Sequence, residues 1–153
     1  MLPTGCSGDG LIKPVGIRED KVAYTHYLHK EWAEAILECS QASSGLPQYQ
    51  EQLYPLSVWK LGTEFTWVAL GGEVTVGYVN RLRSELSDSE AWISAYTNQV
   101  QAYIPTQLVM NEGGYEGGDN MISSAHPARY ADGLEEVVVA AVRGLAAAAP
   151  VAL

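Results

Sequence analysis

The chain has 153 residues, 47% of them hydrophobic and 18% charged, with a formal net charge of −9. This length and composition fit one globular domain with a core and exclude an intrinsically disordered chain. The acidic balance argues against nucleic acid as a partner, because binding phosphates needs clustered Lys and Arg. No apolar run reaches the roughly 18 residues of a transmembrane segment. No signal peptide is visible at the start, so the sequence leaves localisation open.

The first third of the chain predicts a loop and then a helix. Residues 1–18 are rich in Gly and Pro, which is typical of a loop. Residues 19–41 repeat apolar side chains at steps of three and four, which predicts an amphipathic helix. Its apolar stripe consists of Tyr24, Tyr27, Leu28, Trp32, Ile36 and Cys39. Cys6 and Cys39 form neither a CxxC pair nor a zinc-finger spacing, so both idle thiols and a disulfide remain open.

The middle of the chain predicts a pair of strands and a second helix. Residues 53–60 and 64–70 predict strands, and Leu-Gly-Thr at 61–63 predicts a tight turn between them. The continuous apolar run 68–70 is typical of a strand that is buried on both faces. Two glycines and Glu73 follow this run. A helix is predicted over about 74–87, which would place Glu73 at its first turn, where the helix dipole favours a carboxylate.

The last third predicts one more strand, a long loop and a final helix. Residues 91–96 predict the strand, and the segment from there to about 132 contains Gly113, Gly114, Gly117 and Gly118. Structureless loops of this length in compact domains usually have a function. Residues 133–147 predict the final helix, and the Ala-rich tail 148–153 is expected to fray. This order of elements predicts an α/β fold, a layered mixed sheet flanked by helices.

A candidate site emerges where two of the predicted strands end. Ligands of α/β folds collect outside the carboxyl ends of strands, and both Glu73 and the segment from Asn98 onward leave strands at that end. Tyr103 lies thirty residues after Glu73, and Tyr115 lies twelve residues after Tyr103 between paired glycines. On local pattern alone, Glu73 is a helix N-terminal charge, a metal ligand or an acid–base group. The glycines favour either a flexible loop or a close approach of backbone to a ligand.

Taken together, these segments resemble the neutral (non-lysosomal) ceramidases, especially their bacterial relatives. The matching motifs are Gly-Gly-Glu at 71–73, Arg-Leu-Arg at 81–83, Asn98 followed by Tyr103-Ile104, and Tyr115-Glu116 within Glu-Gly-Gly-Tyr-Glu-Gly. The opening Gly8-Asp9 loop resembles the Gly-Asp-x-Ser-Pro-Asn region of that family. The order and spacing of these motifs agree over essentially the whole chain.

The resemblance implies a zinc-dependent amidohydrolase that cleaves the N-acyl amide of ceramide or of a related lipid. In that family two histidines, a glutamate and a tyrosine hold the catalytic zinc. By motif, the glutamate falls on Glu73 and the tyrosine on Tyr103, while a second tyrosine that helps to stabilise the oxyanion falls on Tyr115. Zinc lowers the pKa of a bound water to about 7, and a neighbouring phenol can donate a hydrogen bond to the tetrahedral intermediate. Family members are often secreted or membrane-associated.

The chain departs from the family in its histidines. The two family histidine ligands lie in more N-terminal segments that this chain does not contain. His26 and His29 lie three residues apart on the predicted helix, a spacing that can bind a metal ion or simply lie on a solvated face, and His126 lies in a loop. All three are expected to lie away from the site. The chain is therefore expected to be the C-terminal portion of a ceramidase-like domain, an incomplete part of a larger α/β domain that is inactive without its N-terminal half.

Two further departures keep a second class of function open. The family serine falls on or near Leu11, so a serine nucleophile is not expected at that position. The family's pair of arginines after the glutamate is half kept, as Asn80-Arg81. The alternative is a non-catalytic α/β module, or a degenerate remnant, that keeps the fold and binds a partner chain.

Overall fold

The computed structural model describes residues 12–13, 33–34, 37, 53–124, 129–149 and 151–152. The predictions for Cys6, Cys39, Leu11 and the three histidines lie outside the described residues. The apolar stripe of the helix predicted over 19–41 also lies outside them, although residues 33, 34 and 37 of that segment are described as helical.

The described residues alternate between short strands and helices. The strands are β1 (Ile12–Lys13), β2 (Leu56–Leu61), β3 (Phe65–Leu70), β4 (Glu73–Val74), β5 (Glu90–Ser94), β6 (Tyr103–Ile104), β7 (Arg129–Tyr130) and β8 (Val151–Ala152). The helices are α1 (Gly77–Glu85), α2 (Gln107–Glu112), α3 (Asn120–Ser123) and α4 (Leu134–Ala148), and a wide π-type turn at Tyr115–Asp119 precedes α3. The predicted α/β class is confirmed.

A four-stranded mixed sheet with the order β5-β3-β2-β8 forms the centre of the described structure. β2 and β3 are antiparallel and pair along their whole length, so the predicted hairpin is confirmed. β5 runs parallel to β3, and β8 runs parallel to β2. Two smaller ladders accompany this sheet, an antiparallel one between β1 and β7 and a parallel one between β4 and β6.

One face of the sheet packs against α1 and α4 to form the core. The buried side chains of this core that come from the sheet and the two helices are Val58, Val68, Leu70, Tyr78, Leu82, Leu134, Val138, Val139, Val142 and Ala146. Side chains alternate between the two faces of a strand, so Ala69 lies on the opposite face from its neighbours. Ala69 is also buried, which confirms that the run 68–70 is covered on both sides.

The other face of the sheet carries aromatic side chains. The strand register places Trp59 beside Trp67 and Trp67 beside Trp92. The rings of Trp59 and Trp67 meet edge to face at 4.9 Å, and those of Phe65 and Trp92 do so at 5.2 Å. Trp59 and Trp92 remain 51% and 60% exposed. This surface, Trp59, Phe65, Trp67 and Trp92, is called the aromatic face below.

The helix predicted to begin beside Glu73 begins later. Residues 73–74 are extended, because the N–H groups of Glu73 and Thr75 donate to the carbonyls of Ala102 and Ile104 at 3.0 and 3.2 Å. α1 therefore starts only at Gly77, and its first turn contains no acidic residue. The interpretation of Glu73 as a helix N-terminal charge was wrong.

Three segments predicted as irregular contain regular structure. The long segment before residue 132 holds β6, α2, the π-type turn, α3 and β7. Within the loop predicted over 1–18, residues 12–13 pair with β7. The tail predicted to fray over 148–153 instead begins with the last helical residue and then pairs through β8 with β2. Within the described ranges, no helix is both long and apolar enough to cross a membrane.

Candidate functional site

A tight turn at residues 71–72 connects the end of β3 to β4, which begins with Glu73 and pairs with β6. Gly72 in this turn has a φ of +70°. A Cβ atom there would lie 2.7 Å from Cγ1 of Ile104 and 2.9 Å from the carbonyl oxygen of Ala102. Since only glycine tolerates both this φ and this approach, the second glycine of the Gly-Gly-Glu motif is required by the local geometry. Its N–H donates to the carbonyl of Gln99 at 2.7 Å, which anchors the turn.

The short ladder places two of the predicted site residues side by side. β4 and β6 are parallel, and their register pairs Glu73 with Tyr103. Directly paired residues of neighbouring strands point to the same face. Hydrogen bonding by the Tyr103 hydroxyl lowers the pKa of the Glu73 carboxyl, as expected for side chains held this close. Backbone pairing and the interaction of their side chains therefore bring together two residues that lie thirty positions apart in the sequence.

Tyr115 joins the same group through its ring. The rings of Tyr103 and Tyr115 lie 5.6 Å apart at an interplanar angle of 73°, an edge-to-face contact. Such contacts between aromatic rings are favourable beyond the area that they bury. Tyr115 itself is 61% exposed. The three residues expected from the motifs are thus brought together, with Tyr115 at the open side.

The side-chain amide of Asn120 connects the backbone of Tyr103 to the backbone of Tyr115. It is only 2% exposed. The N–H of Tyr103 donates to Oδ1 of Asn120 at 3.2 Å, and Nδ2 of Asn120 donates to the carbonyl of Tyr115 at 2.8 Å. One buried amide therefore fixes the distance between β6 and the start of the π-type turn.

The π-type turn packs closely against the helix that precedes it. A Cβ atom at Gly117 would overlap the carbonyl oxygen of Val109, so the backbone of the turn lies directly on the backbone of α2. Asp119 at the end of the turn forms an ion pair with Arg129 at 2.5 Å. In the structure, the glycine-rich segment is a packed turn that holds Tyr115 in place.

Hydrogen bonds to Glu73 set the charge state of the group. The hydroxyls of Tyr103 and Tyr96 donate to its carboxylate and lower the pKa of Glu73. Hydrogen bonding to Glu73, with partial burial and the glutamate charge, raises the pKa of Tyr103 to about 12, and Tyr96's own hydrogen bonding to Glu73 raises the pKa of Tyr96. At neutral pH the carboxylate is ionised and both phenols keep their protons. The set Glu73, Tyr96, Tyr103 and Tyr115 is called the Glu73 cluster below.

Sequence reasoning missed Tyr96 and Asn120. The strand predicted over 91–96 ends at Tyr96. The signal that could have identified Tyr96 is its position at the sheet edge where both β3, before Glu73, and β5, before Asn98, end. Asn120 follows the glycine-rich segment, and nothing in its sequence neighbourhood indicates that its amide lies beneath two tyrosines. The arginines of the motif at 81–83 do not join the cluster. Arg81 pairs with Glu85 and Glu136 at 2.9 and 3.1 Å, and Arg83 donates to the carbonyl of Ala91 at 3.4 Å.

The Glu73 cluster offers oxygen atoms to a metal ion. Zinc is commonly bound by imidazole nitrogen, thiolate sulfur and carboxylate oxygen, usually with four ligands. Glu73 supplies one carboxylate and Tyr103 one phenol, whereas the part of the chain that the structure describes contains no histidine. Among those same residues, no three His, Cys, Asp or Glu side chains come together as a metal-binding group. The Glu73 cluster therefore offers two oxygen donors, and a four-coordinate zinc site would need two further ligands.

Comparison with known proteins adds no relative: no protein-family model, curated protein or solved structure matches the chain. The resemblance to the ceramidases therefore stands on the motifs alone.

Proposed function

We propose that this chain provides the Glu73 cluster to a zinc amidohydrolase that resembles neutral ceramidase. Its substrate is the N-acyl amide of ceramide or of a related lipid. Glu73 and Tyr103 are the metal ligands of this chain, and Tyr115 stabilises the oxyanion. The two imidazole ligands come from an N-terminal half of the domain, so the chain alone is inactive.

The observation that carries the proposal is the pairing of Glu73 with Tyr103 across β4 and β6, with Tyr115 in contact with Tyr103. Three residues chosen only for their motif positions lie in one cluster. Two oxygen donors on adjacent strands can reach one ion, because residues paired in register share a face of the ladder. The lowered pKa of Glu73 keeps its carboxylate in the ionised form that a metal ion binds.

Three residues of the cluster, Glu73, Tyr103 and Tyr115, then have distinct tasks. When bound, zinc supplies an attacking water of lowered pKa. Glu73 and Tyr103 hold the ion on the ladder, where backbone hydrogen bonds fix their separation. Tyr115 donates its hydroxyl proton in a hydrogen bond to the carbonyl oxygen of the amide as this oxygen gains negative charge. Its exposed position leaves the hydroxyl accessible to a substrate that arrives from solvent.

The test compares variants of the protein expressed from its complete reading frame, loaded with zinc and given a fluorogenic N-acyl lipid amide. We expect Glu73→Gln to lose the metal, measured by elemental analysis, and to lose amidase activity with it. Tyr115→Phe should keep the metal and lower kcat by about 100- to 1,000-fold, as for removal of an oxyanion donor. Glu90→Gln, an exposed carboxylate at the start of β5, is the matched control and should leave both unchanged. Amidase activity that survives Glu73→Gln would contradict the metal role.

A second candidate is a non-catalytic α/β module that keeps this cluster as a structural feature. The observation that favours it is that two phenols already donate to the Glu73 carboxylate, so the charge is satisfied without a metal ion. Calorimetric titration of the complete protein with zinc separates the two candidates. Tight stoichiometric binding that Glu73→Gln abolishes supports the hydrolase, and the lack of binding supports the module.

A further inference from the structure

We infer that Tyr96 is a further residue of this site, a positioning residue whose hydroxyl acts with that of Tyr103 to hold the Glu73 carboxylate in one orientation. The inference goes beyond the proposed function, which gives roles only to Glu73, Tyr103 and Tyr115. Only its consequence for metal binding rests on that proposal.

The backbone ties Tyr96 to the turn that delivers Glu73. The N–H of Tyr96 donates to the carbonyl of Gly72 at 2.9 Å, and the N–H of Thr97 donates to the carbonyl of Leu70 at 3.1 Å. These two bonds join the segment after β5 to both ends of the turn between β3 and β4. Tyr96 and Glu73 therefore belong to one hydrogen-bonded unit, and the backbone alone holds the two residues close to each other.

The backbone conformation at Tyr96 is unusual for its residue type. Tyr96 and Asn98 have φ values of 58° and 62°, and within the described residues they are the non-glycine positions with positive φ. This conformation costs little for glycine and more for residues with a Cβ atom. Strained residues of this kind persist where the surroundings hold them, often at functional sites. A tyrosine at a position suited to glycine indicates that its side chain is used.

The contacts of the side chain show what that use is. Tyr96 is 58% exposed, so burial of its ring contributes little to the core. Its hydroxyl instead acts on Glu73: hydrogen bonding by the hydroxyls of Tyr103 and Tyr96 lowers the pKa of the Glu73 carboxyl, and the backbone bond from Tyr96 to Gly72 holds the two residues next to each other. A carboxylate held by one donor can rotate about its terminal bond, whereas two donors from different segments fix its plane. Further lone pairs of its oxygens remain available to a ligand.

The experiment uses this chain and measures the side-chain conformation of Glu73 by NMR scalar couplings. We expect one dominant rotamer in the wild type and averaging over rotamers in Tyr96→Phe, which removes only the hydroxyl. Tyr54→Phe is the matched control, because the Tyr54 hydroxyl donates to the backbone carbonyl of Gly71 at 2.8 Å in the same turn. This control should leave the Glu73 rotamer unchanged. A single unchanged rotamer in Tyr96→Phe would overturn the inference.

A measurement on the wild type tests the role of Tyr96 even where the Tyr96→Phe variant does not fold. Nuclear Overhauser contacts between the Tyr96 ring and the Glu73 side chain are expected, and their absence also overturns the inference. In the complete zinc-binding protein, Tyr96→Phe should weaken zinc affinity by about 10- to 100-fold, as for other residues that orient a metal ligand. A wild type that binds no zinc contradicts the proposed function alone. The NMR result on Tyr96 stands apart from it.

Discussion

The four-stranded sheet and the β4–β6 ladder are joined by two glycines, yet their positions are fixed by different interactions. β2 and β3 pair over six residues each and bury Val68 and Leu70 against α1 and α4. β4 and β6 pair over only two residues, and a glycine turn, backbone hydrogen bonds and the buried amide of Asn120 hold them. Apolar burial thus stabilises the sheet, whereas close packing and polar contacts determine the geometry of the Glu73 cluster. Substitutions should separate the two effects.

The largest loss of stability is expected in the core beside the sheet. Leu82 on α1 is fully buried, so Leu82→Ala removes apolar burial and leaves a cavity. The free energy of unfolding should fall by about 2–5 kcal/mol in a denaturant titration. Leu108→Ala, at a position 66% exposed, is the control and should have little effect. Comparable losses in both variants would contradict the assigned core.

The turn between the two regions should be the next most sensitive point. Gly72 and Gly62 both have positive φ, of 70° and 64°, but a Cβ atom meets neighbouring atoms only at Gly72. Gly72→Ala should therefore destabilise the protein by about 1–3 kcal/mol more than Gly62→Ala, since overpacking adds to the strain that both share. Thermal unfolding of the two variants measures the difference, and equal costs would exclude the close approach of Ile104.

Asn120→Ala should disturb the cluster more than the sheet. It leaves the N–H of Tyr103 and the carbonyl of Tyr115 without their buried partner, at a cost of about 1–3 kcal/mol. The ring contact between Tyr103 and Tyr115 should weaken in nuclear Overhauser spectra, while contacts between β2 and β3 persist. Asn80→Ala, an exposed position on α1, is the control. Intact ring contacts in Asn120→Ala would show that the amide does not position the tyrosines.

The smallest expected effect concerns protonation. Tyr103 and Tyr130 both have a pKa raised to about 12, the first chiefly by Glu73 and the second by burial. A raised tyrosine pKa stabilises the fold below the usual value of 10.0, and this stabilisation is lost as pH rises through about 12. Glu73→Gln should lower the pKa of Tyr103 and leave that of Tyr130 unchanged, as followed by ¹³C NMR of the phenol carbons. A common shift of both would exclude the specific contact with Glu73.

The same contrast explains which elements could be predicted from the sequence. β2, β3, α1, β5 and α4 are long enough for their side chains to show a period, so each was predicted within a few residues. The continuous apolar run 68–70 also correctly indicated burial on both faces. The ladder β4–β6 has two residues on each strand, too few to show any period. The extended backbone at Glu73 was therefore mistaken for the start of a helix.

The residues of the candidate site also differ in whether the sequence could predict them. The predicted meeting of Glu73 and Tyr103 followed from the rule that strand ends gather at one edge of a sheet. Tyr115 was included only by its motif position, and the ring contact that joins it to Tyr103 depends on how the π-type turn packs. Tyr96 and Asn120 act through one hydroxyl and one amide, and such contacts depend on atomic positions that residue types do not encode. Their roles become visible only in three dimensions.

The aromatic face has a practical consequence for spectroscopy. The chain contains four tryptophans, and three of them, Trp59, Trp67 and Trp92, lie on this face. The Glu73 cluster contributes only tyrosines, whose absorption and emission lie at shorter wavelengths than those of tryptophan. Tryptophan emission therefore carries a signal from the outer surface of the sheet together with that of Trp32, and the three tyrosines of the Glu73 cluster contribute to the absorbance of the nine phenols of the chain.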